Sequence, residues 1–70
     1  MKELDLHGKR HSEVEPLVEN FIIKHQYEVP LRIITGKSNE MQRIVMNAVY
    51  TTRCEKVDLF FDGYIVIHKV

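Results

Sequence analysis

Leu4-Asp5-Leu6-His7-Gly8 opens the first element of the chain and closes it at a glycine. Alternation of leucines with ionisable residues is the pattern of a half-buried strand. Leu4 and Leu6 turn to one face, while Asp5 and His7 share the other, one step of about 6.5 to 7 Å apart. Burial of the leucine pair fixes the strand, and a carboxylate then stands within reach of a neighbouring imidazole. This stretch predicts a strand over residues 3 to 7, followed by a polar turn, Gly8-Lys9-Arg10-His11, that releases the chain from its sheet.

The residues downstream say what the strand joins. Ser12 followed by Glu15 is a capping-box pattern, and Val14, Leu17, Val18, Phe21, Ile22 and His25 recur along one helical face. A helix from about residue 12 to 27 is expected, with Pro16 placed awkwardly against a cap at Ser12. Val29-Pro30 favours extended chain, and Leu31-Arg32-Ile33-Ile34-Thr35 is a β-branched run that ends at Gly36. Thr35-Gly36-Lys37-Ser38-Asn39 then repeats the layout of the first loop: strand, glycine, basic residue, helix cap. The second helix, capped by Ser38 or Asn39, places Met41, Ile44, Val45, Ala48 and Val49 on one face and fades near residues 51 to 53. Residues 55–61 and 64–70 flank Asp62-Gly63, a strong signal for a two-residue hairpin. That register pairs Phe61 with Tyr64, Leu59 with Val66 and Val57 with His68 on the helix side, and leaves Phe60, Ile65, Asp58 and Ile67 on the open side.

The order β-α-β-α-β-β, with right-handed crossovers, predicts a two-layer α/β sandwich: a mixed four-stranded sheet with both helices on one face. Seventy residues allow one domain, a whole miniature protein or an excised piece, with a thin core that buries only about 60% of the unfolded surface. A composition of 44% hydrophobic and 29% charged residues is that of a folded chain. Ten Lys and Arg balance ten Asp and Glu, so no global positive field attracts nucleic acid, and any phosphate binding must be local. The single Cys54 and the lack of a secretory or membrane-spanning run point to a reducing, cytoplasmic setting without membrane association.

Parallel strands followed by helices deliver their C-terminal ends to one edge of the sheet, so the loops at residues 7–11 and 35–39 are expected together. Both helix N-termini point there, and Lys9, Arg10 and Lys37 add charge suited to phosphate. The Gly36-Lys37-Ser38 triplet is not a P-loop, because Leu31 stands where the first glycine of that motif belongs. His25 and His68 fall away from the loop edge and receive no role. Tyr27, Tyr50 and Tyr64 are too scattered for a base-stacking platform.

Leu4-Asp5-Leu6-His7-Gly8, followed after one helix by Ile33-Ile34-Thr35-Gly36-Lys37, resembles the small MutS-related (Smr) domain family over nearly the whole chain. The resemblance implies a nucleic-acid-binding fold similar to the C-terminal domain of bacterial translation initiation factor three, often with RNA endonuclease or DNA-nicking activity. It carries Asp5 and His7 over as active-site residues and Thr35, Gly36 and Lys37 as the second loop of the substrate site, flanked by Gly8, Lys9, Arg10, His11 and Ser38. Ser38 stands where many family members have a second glycine, and only Gly63 lies near the last hairpin.

On RNA, His7 would accept the 2′-hydroxyl proton, Asp5 would orient its imidazole, and Lys37 with helix N–H groups would stabilise the pentavalent phosphate. That route needs no tightly bound cofactor. DNA, which lacks the hydroxyl, would call for an activated water and a weak Mg2+ requirement. Expected partners are RNA or structured DNA. The alternative is a non-catalytic module that binds nucleic acid or protein, with a protein partner or self-association through the open sheet face.

Overall fold

The two leucines of the opening stretch turn to the same side: Leu6 is buried and Leu4 packs against the core. A computed structural model of the chain describes residues 1–60 and 62–70. The elements are β1 (Lys2–Asp5), α1 (His11–His25), β2 (Leu31–Ile34), α2 (Asn39–Thr51), β3 (Lys56–Phe60) and β4 (Tyr64–Lys69). The sheet order is β1-β2-β4-β3, with β1 parallel to β2 and β4 antiparallel to both its neighbours. The mixed four-stranded sheet expected from the sequence is present, with both helices on one face.

One apolar layer joins the elements. Val14, Val18 and Ile22 of α1 and Met41, Val45, Ala48 and Val49 of α2 meet Leu6, Leu31, Ile33, Ile65 and Ile67 from the sheet. Each large side chain fully buried here contributes about 1.5 to 3 kcal/mol from its removal from water. Across the helix-side face, the register sets Leu4, Ile33, Ile65 and Leu59 in one row and Lys2, Leu31, Ile67 and Val57 in the next. The open face carries the complementary rows Asp5, Ile34, Tyr64, Phe60 and Glu3, Arg32, Val66, Asp58. No helix among the described residues is long and apolar enough to cross a membrane.

The hairpin register differs from the expected one by one residue. Tyr64 pairs with Phe60, and Ile65, Val66 and Ile67 pair with Leu59, Asp58 and Val57. The expected Phe61–Tyr64 pair falls partly outside the described residues. Three residues, 61–63, separate the last pair, the Gly63 N–H donates to the Phe60 carbonyl at 3.1 Å, and Gly63 has φ +112. The ladder thus ends at Phe60–Tyr64 and closes through Gly63, not on the two-residue turn that Asp62-Gly63 suggests. An odd change in loop length reverses every side chain of the second strand. Val57, Leu59, Asp58 and Phe60 therefore keep their expected faces, whereas Ile65 and Ile67 enter the core and Tyr64, Val66 and His68 take the open face.

Boundaries shift for local reasons. β1 stops at Asp5 rather than residue 7, because Leu6 to Lys9 form a turn. α1 begins at His11 with Arg10 as N-cap instead of Ser12, and ends at His25 rather than residue 27. Glu13, not Glu15, reaches back: its Oε2 accepts the Arg10 N–H at 3.1 Å. Pro16 lies inside this helix on an exposed position, where it withholds a hydrogen bond from the Ser12 carbonyl. At α2 the cap is Ser38, whose Oγ accepts the Met41 N–H at 3.2 Å.

The register generates a direct test. Ile65→Ala is expected to cost about 2 to 5 kcal/mol in chemical denaturation, while Leu59→Ala, half-open at the sheet edge, costs under about 1 kcal/mol. The two-residue hairpin predicts the opposite ranking.

Candidate functional site

His7 leaves the strand at the point where the backbone turns. The Lys9 N–H donates to the Leu6 carbonyl at 3.0 Å, and Gly8, third in this turn, has φ +78, a region that L residues rarely adopt. Asp5 braces the same turn: its Oδ1 accepts the backbone N–H of His7 at 2.9 Å. The carboxylate is thus engaged with the main chain, and it makes no ion pair or hydrogen bond with the His7 imidazole, which is exposed. The expected orienting contact is replaced by an Asx-type turn.

The second loop stands beside the first because β1 and β2 are parallel neighbours. The Leu6 N–H extends their ladder by donating to the Ile34 carbonyl at 3.0 Å. Beyond Ile34 the chain is held on both of its polar groups. Thr35 and Gly36 each donate a backbone N–H to the Gly63 carbonyl, at 2.8 and 3.0 Å. The Gly36 carbonyl accepts from Thr35 Oγ1 at 2.8 Å and from the buried Gln42 Nε2 at 3.3 Å. Thr35 is itself buried, so its hydroxyl shapes the loop from beneath. Gly36 has φ +71, and a Cβ at this position would meet nothing within 4 Å, so backbone conformation, not crowding, demands glycine there.

These bonds decide which donors remain for a ligand. The N–H groups of Thr35 and Gly36 are taken, and Ser38 Oγ is committed to its cap. Among the described residues, the amides of His11 and Ser12 in α1 and of Asn39 and Glu40 in α2 have no acceptor, as first-turn amides of a helix do not, and the loop amides of Gly8, Lys37 and Ser38 have none either. Around them stand the exposed side chains of His7, Lys9, Arg10, His11 and Lys37, with Gly8 and Ser38 also exposed. Two acidic residues share the first turns, and both are occupied. Glu13 holds the Arg10 amide, and Glu40 forms a two-point pair with Arg43 at 2.6 and 3.3 Å. Hydrogen bonding and charge from Arg43 hold the Glu40 carboxyl below its ordinary value, and charge on His11, at the start of α1, acts in the same direction.

The hairpin tip is the part that sequence reasoning missed. β3 runs parallel to β2, so its end and residues 62–63 arrive at the same edge as the two loops. The approach is close: a Cβ on Gly63 would lie 2.9 Å from the Gly36 carbonyl carbon. The crossover rule already sends the third strand to this edge, and that was the signal by which the tip could have been found. Among the described residues, no group of three or more His, Cys, Asp or Glu side chains is placed to hold a metal ion. Comparison of the chain with protein-family models, with curated proteins and with solved structures finds no match.

Two outcomes follow from the geometry. Gly63→Ala is expected to destabilise the fold by clearly more than Gly8→Ala, because the second change carries only the left-handed backbone cost of about 1 to 2 kcal/mol while the first also drives a methyl into Gly36; thermal unfolding of both variants compares them. NMR titration of the Glu40 carboxyl is expected to show a midpoint below that of an unpaired glutamate, returning to the ordinary range in Arg43→Gln. Since the folded-state value is the depressed one, the pair contributes to stability above the ordinary glutamate range and loses that contribution as pH falls through the folded midpoint.

Proposed function

We propose that the edge formed by the loops at residues 7–11 and 35–38 binds the sugar-phosphate backbone of RNA or structured DNA, and that His7 is the base of an endonuclease at that edge. The observation that carries this reading is the convergence of two helix starts, whose amides at His11, Ser12, Asn39 and Glu40 have no acceptor among the described residues, with the side chains of Lys9, Arg10, His11 and Lys37 on one exposed margin. Helix starts and lysine or arginine side chains are the groups that hold phosphate oxygens. The motif resemblance of residues 4–8 and 33–37 to the Smr family supports it independently.

In this reading a phosphate rests against the amides of Asn39 and Glu40 with Lys37 beside it. His7 takes the proton of the adjacent 2′-hydroxyl, the 2′-oxygen attacks phosphorus, and the 5′-oxygen departs with a proton from solvent, leaving a cyclic phosphate. Lys37 and the amides stabilise the charge that builds on the equatorial oxygens. Asp5 acts as a positioning residue for the turn that carries His7, since its carboxylate holds the His7 amide.

A non-catalytic binding module is the second reading, and a specific observation favours it: no side chain among the described residues orients the His7 ring. Binding and cleavage are therefore measured separately, on end-labelled single-stranded RNA, hairpin RNA and branched DNA, with and without Mg2+. Binding at low salt is expected, with a salt slope that falls by about 1 in Lys37→Ala. His7→Ala is expected to abolish cleavage and leave binding within a few-fold. Asp5→Asn keeps the acceptor for the His7 amide and is expected to retain cleavage, whereas Asp5→Ala loses it. Absence of binding to every substrate at low salt contradicts the proposal, and binding with no cleavage by the unaltered chain selects the second reading.

A further inference from the structure

The open face of the sheet places an aromatic stack directly beside the loop edge. In the row Asp5, Ile34, Tyr64, Phe60, the rings of Phe60 and Tyr64 stack with centroids 4.7 Å apart and planes 18° apart. The Arg32 guanidinium lies 5.7 Å from the Tyr64 centroid. Arg32 sits on β2 and Phe60 on β3, so Tyr64 is flanked from both sides and the stack ends at Phe60, on the edge strand. Phe60 is 37% exposed.

From this arrangement we infer that Phe60 is a stacking subsite for an unpaired nucleobase, the next layer of the Arg32, Tyr64, Phe60 stack. The inference rests on the proposed binding of nucleic acid at the loop edge and specifies its form as single-stranded. Three features favour a base over other occupants of this face. A base offers a flat π surface of matching shape, and stacking on an aromatic side chain is tolerant of sequence. The row belongs to the end of the hairpin whose tip, Gly63, holds the second loop, so a backbone lying on the loop edge has its bases within reach of that row. The rest of the face rejects phosphate: Glu3 is paired with Arg32 at 2.5 Å and Asp58 with His68 at 2.9 Å, which leaves no free cation among the described residues of the row behind the stack. Charge thus keeps the backbone at the edge, while the uncharged bases turn inward onto the rings. A duplex offers such a face only at its two ends, because its internal bases are already stacked and paired.

The test is fluorescence anisotropy with a labelled oligo-uridylate and with a blunt RNA duplex at the same low salt, using the unaltered chain, Phe60→Leu, Phe60→Tyr and Lys37→Ala, each checked for an unchanged thermal midpoint. Phe60→Leu keeps apolar bulk without the π face, and Phe60→Tyr keeps the face. Single-strand binding is expected to weaken at least about 5-fold in Phe60→Leu, within the range of one lost stack, and to return in Phe60→Tyr. Duplex binding is expected to be weaker from the start and unaffected by either change, and Lys37→Ala is expected to weaken both probes. Equal single-strand affinity in Phe60→Leu overturns the subsite and leaves the loop-edge reading standing. Binding of neither probe by the unaltered chain overturns both. A dimer in sedimentation that Phe60→Leu dissolves without changing oligonucleotide affinity assigns the ring to a second copy of the chain and also overturns the subsite.

Discussion

The Gly63 carbonyl is the joint between the two ends of this molecule. It accepts the amides of Thr35 and Gly36, and so fastens the tip of the last hairpin to the loop that follows β2. At that joint two glycine backbones meet, and both polar groups of Gly36 are engaged: its N–H donates to the Gly63 carbonyl, and its carbonyl accepts from the Thr35 hydroxyl and the Gln42 side-chain amide. The consequence reaches the candidate site. The amides of Thr35 and Gly36 are thereby closed to a ligand, while those of Lys37 and Ser38, which have no acceptor among the described residues, stay open beside the first turns of the helices. In the proposed reading, the main-chain donors for a ligand are those at the end of this loop and at the helix starts beside it.

The thin core explains why such fastening matters. Helices cover β1, β2 and β4 well enough to bury Leu31, Ile33, Ile65 and Ile67, but β3 stands at the margin, with Leu59 38% exposed on the helix side and Phe60 37% exposed on the other. A short edge strand with so little buried surface depends on its ladder with β4 and on the hairpin that closes it. The same exposure makes Phe60 available to a ligand. Stability and accessibility are opposed at this strand, and the hairpin tip, tied to Gly36, reconciles them.

Much of this arrangement could be read from residue order. The period of Leu4 and Leu6, the helical faces at Val14 to Ile22 and Met41 to Val49, and the crossover rule lead to the observed layers and to the adjacency of the two loops. The hairpin register is where two local signals conflict. Asp62-Gly63 signals a two-residue turn, but the composition of β4 opposes it, because Ile65 and Ile67 alternate with Tyr64, Val66 and His68. Two isoleucines on one side and a tyrosine and histidine on the other already mark which face is dry. The role of Asp5 was hidden for a different reason. Alternation locates a carboxylate next to a histidine, but whether it bonds the ring or the amide depends on where the strand ends, and the glycine at position 8 ends it before His7. Comparable ambiguity surrounded the cap of α1, which a glutamate three residues inside the helix settled in favour of Arg10.

The idea that unifies the molecule is that one margin, built from two helix starts and a hairpin tip, is the surface that meets nucleic acid. The most direct measurement is a 1H–15N spectrum of the labelled chain during titration with single-stranded RNA at low salt. The largest shifts are expected on the amides of His7, His11, Ser12, Lys37, Asn39 and Glu40. Shifts confined to the outer helix surfaces around Ile23 and Tyr50, or a spectrum that does not move at all, would contradict that idea.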